Sequence, residues 1–185
     1  MAATMVSGAN LAEAAALPAE YLEERWYAAQ TCANHEKRVL EQLSQRTVEA
    51  YLPLYASVRR WKDRRICLEL PLFPGYVFVR LALRARVQVL QTPSVVRLVG
   101  FGGHPTALPD QEIDGLRRGL TRDTRVEPHP YLKVGHRVRV RTGPLQGLEG
   151  ILVRKKNVSR FVISLDLIMR SVAAEIDTDE LEPLR

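Results

Sequence analysis

Arg59, Arg60, Lys62, Arg64 and Arg65 surround Trp61 within seven residues. Cations at this spacing can contact successive phosphates, and an indole offers a face on which a base stacks. The same residues could equally form a solvated hairpin. No comparable constellation supports catalysis. His35, His104, His129 and His136 each lack a second His, a Cys or a Glu at zinc-ligating spacing. Cys32 and Cys67 are isolated thiols, which suit a reducing cytoplasm better than a disulfide framework. No nucleophile elbow, Walker A loop or dinucleotide-binding glycine pattern is present, and no Lys-Ser/Thr follows the glycine-rich segment 100–103. The expectation is a protein that binds rather than catalyses, with no metal and no cofactor.

A second cluster has a different chemistry. Phe73-Pro74-Gly75-Tyr76-Val77-Phe78-Val79 sets aromatics around a Pro-Gly corner and then runs into a strand. Proline fixes φ and glycine permits angles that other residues avoid, so the corner is chemically defined. Tyr76, Phe78 and Arg80 fall on one strand face, Val77 and Val79 on the other. An apolar patch beside a rigid corner is either core or a docking surface.

The elements that hold these clusters follow from periodicity. Strands are predicted over 25–30, 48–55, 75–81 and 95–99, a basic hairpin over 58–70, and helices over 35–46, 86–91 and 109–120. In the helix over 35–46, Val39, Leu40 and Leu43 face the core, with Glu36, Lys37, Arg38 and Glu41 on the wet side. Interleaved strands and helices predict an α/β sandwich with helices covering a small mixed sheet. Segment 122–132 is polar and carries Pro128 and Pro130, and reads as a linker. Beyond it the pattern has period two, and Phe161, Ile163, Leu165 and Leu167 make one apolar strand face, so a small β-barrel is expected over 133–185. Residues 1–23 read as a flexible tail and 24–121 as the first domain.

The 185 residues suit one ordinary domain or two small ones, and 46% hydrophobic content is enough for packed cores. A net charge of +6 permits nucleic acid or an acidic protein as partner without requiring either. No apolar run reaches the roughly 18 residues of a membrane span.

Together the two halves resemble the bacterial NusG family of transcription elongation and antitermination factors over residues 24–185. The resemblance rests on Trp26-Tyr27 in the first strand, the FPGYVFV corner, Val95 to Gly100, and the helix start Leu108-Pro109-Asp110-Gln111-Glu112. In the second half it rests on Gly135 to Val140, Gly143-Pro144-Leu145-Gln146-Gly147 and Gly150, which are similar to a KOW domain. It implies an α+β protein: an α/β-sandwich NusG amino-terminal domain followed by an SH3-like barrel.

The resemblance also implies partners. Tyr27, Phe73, Pro74, Tyr76, Phe78 and Leu98 would dock on the clamp helices of the largest RNA polymerase subunit and so suppress pausing. Arg59, Arg60, Trp61, Lys62, Arg64 and Arg65 would lie near DNA of the transcription bubble. Leu167, Ile168 and Arg170 of the KOW domain would meet a small-subunit ribosomal protein or the termination factor Rho. The family's common Phe and Gly in that loop are Ile168 and Met169 here, which weakens the implied Rho contact more than the ribosomal one, and the tract Asp166 to Val172 resembles specialised members that antiterminate particular operons. The polar triplet with which such members touch the opposite jaw of polymerase is absent from residues 85–88. The competing expectations are a general NusG linking polymerase to Rho or the ribosome, and an RNA-binding KOW protein of ribosomal type. A cytoplasmic monomer is expected in either case.

Overall fold

In Trp26-Tyr27-Ala28-Ala29 both side-chain faces are apolar, as a central strand requires. The computed structural model describes residues 18–61, 64–120, 124–132, 135–155 and 158–184. A one-turn helix, α1 (Ala19–Leu22), precedes β1 (Arg25–Thr31). Then come α2 (Glu36–Gln45), β2 (Glu49–Tyr51), β3 (Leu54–Trp61), β4 (Arg64–Pro71), β5 (Tyr76–Leu81), α3 (Arg86–Leu90), β6 (Val95–Leu98), β7 (Gly100–Phe101), β8 (His104–Pro105) and α4 (Asp110–Gly119).

The main sheet has the order β2-β5-β1-β6, with β1 central. Its pairings are all antiparallel, which corrects the expected mixed sheet. The reason is topological. The β1-α2-β2 crossover makes β1 and β2 run in the same direction, but β5 inserts between them, so neighbouring strands oppose each other. One face carries Tyr27, Ala29, Val77 and Val79 against Val39 and Leu43 of α2 and Val89 of α3. Trp26, Ala28 and Phe78 belong to a second cluster with Ile113 and Leu116 of α4. The Arg117 guanidinium of α4 also donates to Glu49 of β2 at 2.7 Å.

The predicted strand over 48–55 is two strands, because Pro53 has no N–H for the sheet ladder and separates β2 from β3. β3 and β4 form the expected hairpin, with Trp61 opposite Arg64. Among the described strands they pair only with each other, so the hairpin is an arm outside the main sheet.

The rear half contains β9 (Val126–His129), β10 (His136–Val140), β11 (Glu149–Lys155), β12 (Val158–Leu165), β13 (Arg170–Glu175) and β14 (Leu181–Pro183). They form one antiparallel sheet in the order β14-β10-β11-β12-β13-β9. Phe161, Ile163 and Leu165 share a buried cluster with Val172 and Ala174 across the β12–β13 pair, so the apolar face read from the sequence is the core face, except that Leu167 falls half-buried in the turn after β12. The predicted linker contains a strand. β9 pairs along β13, where it satisfies an edge that would otherwise leave backbone groups open, and Pro128 is tolerated because β9 is itself an edge strand. Leu132 is held as well: its N–H donates to Ser171 Oγ at 3.1 Å and its carbonyl accepts from Ser164 Oγ at 2.6 Å.

The two halves touch through α4. A Cβ on Gly115 would fall 2.4 Å from Leu148 Cδ2, and one on Gly119 would fall 2.0 Å from Leu145 Cδ2. Residues four apart share a helix face, so these glycines form a notch that seats two leucines of the rear half.

Candidate docking corner

Pro74 and Gly75 turn the chain between the basic hairpin and β5, and Gly75 takes φ +85°, a region that costs an L side chain about 1–2 kcal/mol. The corner is held from three directions. The Gly75 carbonyl accepts the Thr31 N–H at 2.8 Å, and the Tyr76 N–H donates to the Phe73 carbonyl at 3.2 Å. The Gly75 N–H donates to Glu36 Oε1 at 2.8 Å. Glu36, expected on the wet side of its helix, is only 4% exposed. The helical spacing was sound, but the chain folds the corner back over the first turn of α2 and covers it.

The six expected docking residues divide into three groups. Tyr27 and Leu98 lie in the cluster on the α2 and α3 side, with Tyr27 wholly buried. They are core residues, because β1 alternation sends Tyr27 to the face opposite Phe78. Phe73 and Phe78 are also fully buried, with ring centroids 5.6 Å apart in an edge-to-face contact. They lie beneath the corner and offer no exposed ring. Pro74 is exposed and Tyr76 half-buried, packed against the Phe78 cluster. The aromatic ledge is therefore narrower than expected: a Pro-Tyr tip on a Phe-Phe base.

For the basic hairpin, β3 and β4 bring Arg60 opposite Arg65 and Trp61 opposite Arg64, and Arg64 is exposed. Lys62 lies outside the described residues, as do the side chains of Arg59, Arg60, Trp61 and Arg65. The arm also exposes Val58 and Leu68.

In the rear half, a single 3-10 turn, residues 166–168, joins β12 to β13. Ile168 is buried, Leu167 half-buried and Arg170 exposed, so Ile168 offers no side chain to a partner. Met169, expected in this loop but not among its contact residues, is 65% exposed and takes φ +50°. The family's common glycine at this position, noted in the sequence, fits the left-handed conformation that Met169 takes here. Met169 and Phe101 line a cleft of about 880 Å³ between the halves, with Glu112 of α4 and Asp166 in its wall. Burial, and then the Asp166 charge, push the Glu112 carboxyl up to about 7.

Among the described residues no helix is long and apolar enough to cross a membrane, and no group of three His, Cys, Asp or Glu could hold a metal ion.

The front half, including the corner and the hairpin, corresponds to a described family: residues 24–117 match the family model for "Transcription termination factor nusG". The chain belongs to the NusG family. The likeness to individual members extends beyond the matched segment. The chain is 27% identical to the transcription termination/antitermination protein NusG of Lactococcus lactis subsp. lactis, over 88% of this chain and 95% of that protein. It is 28% identical to the NusG of Synechocystis sp., over 86% of this chain and 89% of that one. Among solved structures it resembles one described as "Domain interaction in Thermotoga maritima NusG", with a TM-score of 0.57 and 22% identity, covering 89% of this chain and 99% of that one. That structure supports the fold: a NusG α/β front unit followed by a β-rich KOW unit. The corner and the hairpin of this NusG-family protein both fall inside the matched segment.

Proposed function

We propose that this protein is a non-enzymatic transcription elongation factor that binds RNA polymerase through the Pro74–Tyr76 corner. The observation that carries the reading is the corner itself: a family motif whose backbone is fixed from three sides and whose tip, Pro74 and Tyr76, reaches solvent. A rigid aromatic tip loses little side-chain entropy on docking, and an aromatic anchor contributes about 2 kcal/mol or more to an interface. The clamp helices of the largest polymerase subunit are the docking target in this proposal. Phe73 and Phe78 serve as the base on which the tip is mounted.

The hairpin arm supplies a second, sequence-blind contact to DNA near the bubble, using Arg59, Arg60, Lys62, Arg64 and Arg65 for phosphates and Trp61 for stacking. The KOW unit is a separate hook for a ribosomal protein or Rho. Its exposed Met169 and Arg170, rather than Ile168, are the contact residues of this proposal. The missing aromatic in that loop supports antitermination over Rho recruitment.

A single-round transcription assay with purified bacterial RNA polymerase tests the function. Shorter dwell at a pause site and read-through of a Rho-dependent terminator support the proposal. Unchanged pausing, or more termination with Rho, would overturn its first or second part respectively.

A further inference from the structure

Glu36 is a buried carboxyl that opens α2, and its side chain is spent on the backbone of a residue 39 positions away. Burying such a group without a hydrogen bond is costly, and the first turn of a ten-residue helix favours an acidic side chain there. The partner that Glu36 takes is the N–H of Gly75, the left-handed residue of the corner. Gly75 in turn accepts from Thr31, the last residue of β1, and is followed at once by Tyr76, opposite Gln30 in the β1–β5 register. The same helix end is tied down nearby: His35 Nδ1 lies 2.7 Å from Ser94 Oγ, and the Cys32 N–H donates to the Ser94 carbonyl at 2.9 Å.

From this geometry we infer that Glu36 is the positioning residue of the polymerase-docking corner: its carboxyl holds the Gly75 N–H so that Pro74 and Tyr76 are presented in one fixed geometry. The inference rests on the docking reading above and adds a residue outside the contact surface. A glycine is the freest residue in any chain, so a corner built on one needs an external restraint to stay rigid. The Thr31 and Glu36 contacts grip both sides of Gly75, and only the Glu36 contact is made by a side chain and can be removed by substitution.

The test uses the full chain and bacterial RNA polymerase core enzyme. Amide hydrogen exchange at Gly75 reports the contact, and polymerase affinity reports its use. Glu36→Ala is expected to speed exchange at Gly75 and to weaken binding about tenfold, the equivalent of about 1.4 kcal/mol. Glu36→Gln keeps an acceptor oxygen and should restore both. If Glu36→Ala fails to fold, Glu36→Met, of similar length but without the acceptor, replaces it against Glu36→Gln. An unaltered Gly75 amide overturns the inference, and so does a freed Gly75 amide with unaltered affinity. Tyr76→Ala separates the two levels. If Tyr76→Ala weakens binding and Glu36→Ala does not, only the Glu36 assignment fails. If neither weakens binding, the docking reading fails and the Glu36 role falls with it.

Discussion

Gly119 of α4 lies so close to Leu145 of the rear half that an added Cβ would stand 2.0 Å from the leucine Cδ2. Gly115 has the same relationship with Leu148, one turn earlier. The seating of the two halves therefore depends on the absence of side chains at two helix positions. Gly119→Val should overfill the notch and cost the interface about 1–3 kcal/mol, with each half still folded. Small-angle scattering is expected to show a larger radius of gyration. Adding Leu145→Ala should restore compactness by removing the clashing group, in a double-mutant cycle. A Gly119→Val protein as compact as the parent would mean that the notch does not govern the contact.

Met169 takes φ +50° with its side chain largely in solvent. A left-handed methionine is strained by about 1–2 kcal/mol, which glycine would relieve, against about 0.4–1 kcal/mol of added unfolded-state freedom. Met169→Gly should thus be neutral or up to about 1.6 kcal/mol more stable in urea unfolding. Met169→Val, β-branched in the same geometry, should be clearly less stable. If Met169 is a partner contact, Met169→Gly will also lose affinity for that partner despite its stability.

Glu112 gives a pH dependence whose sign follows from its surroundings. Its carboxyl titrates at about 7 when folded, against an ordinary value of 4.5, because burial and then Asp166 disfavour the charge. The folded protein therefore binds more protons than the unfolded chain between these values, and stability from this group falls as pH rises from about 4.5 to about 7. Above that range the loss is complete. Glu112→Gln mimics the protonated acid, so its melting temperature should match the parent at low pH and exceed it increasingly up to neutrality. A constant difference between the two proteins across pH 4.5 to 7 would contradict this assignment of the titrating group.

The basic arm makes a salt-dependent prediction. Changing Arg59, Arg60 and Arg64 together to Glu removes three cations from the hairpin. Affinity for DNA should fall, and the slope of log affinity against log salt should flatten by roughly 2–3. An unaltered slope, measured by fluorescence anisotropy on a short duplex, would assign the arm no phosphate contacts.

Much of this was legible in the sequence, for identifiable physical reasons. Period-two and helical patterns depend on local side-chain direction, so β1, α2, β5, α4 and the apolar face of Phe161, Ile163 and Leu165 could be read directly. Burial depends on what the chain brings from afar, and there the reading failed. Tyr27 and Phe78 look alike as exposed aromatics on neighbouring strands, yet the sheet sends them to opposite faces and covers both. Glu36 looks solvated because its helix neighbours are charged, but the corner at Gly75 folds over it. The polar composition around Pro128 suggested a linker, while the unpaired edge of β13, which makes Val126–His129 a strand, is visible only in three dimensions. Two left-handed residues illustrate the same contrast: Gly75 announces its conformation, and Met169 conceals it.

The buried base of the corner should separate from its tip in a stability assay. Phe78→Ala removes a fully buried ring and should cost about 3–5 kcal/mol, measured by chemical denaturation. Any loss of polymerase binding in that variant would therefore be confounded with unfolding, and Phe73→Ala shares the problem. Tyr76, half-exposed, does not.

The decisive measurement is the affinity of Tyr76→Ala for bacterial RNA polymerase core enzyme, taken at a temperature where the variant is as folded as the parent. Docking through the corner requires binding roughly tenfold to thirtyfold weaker, the loss of one aromatic anchor. Undiminished affinity in a folded Tyr76→Ala protein would mean that polymerase grips some other surface and that the corner is only a turn.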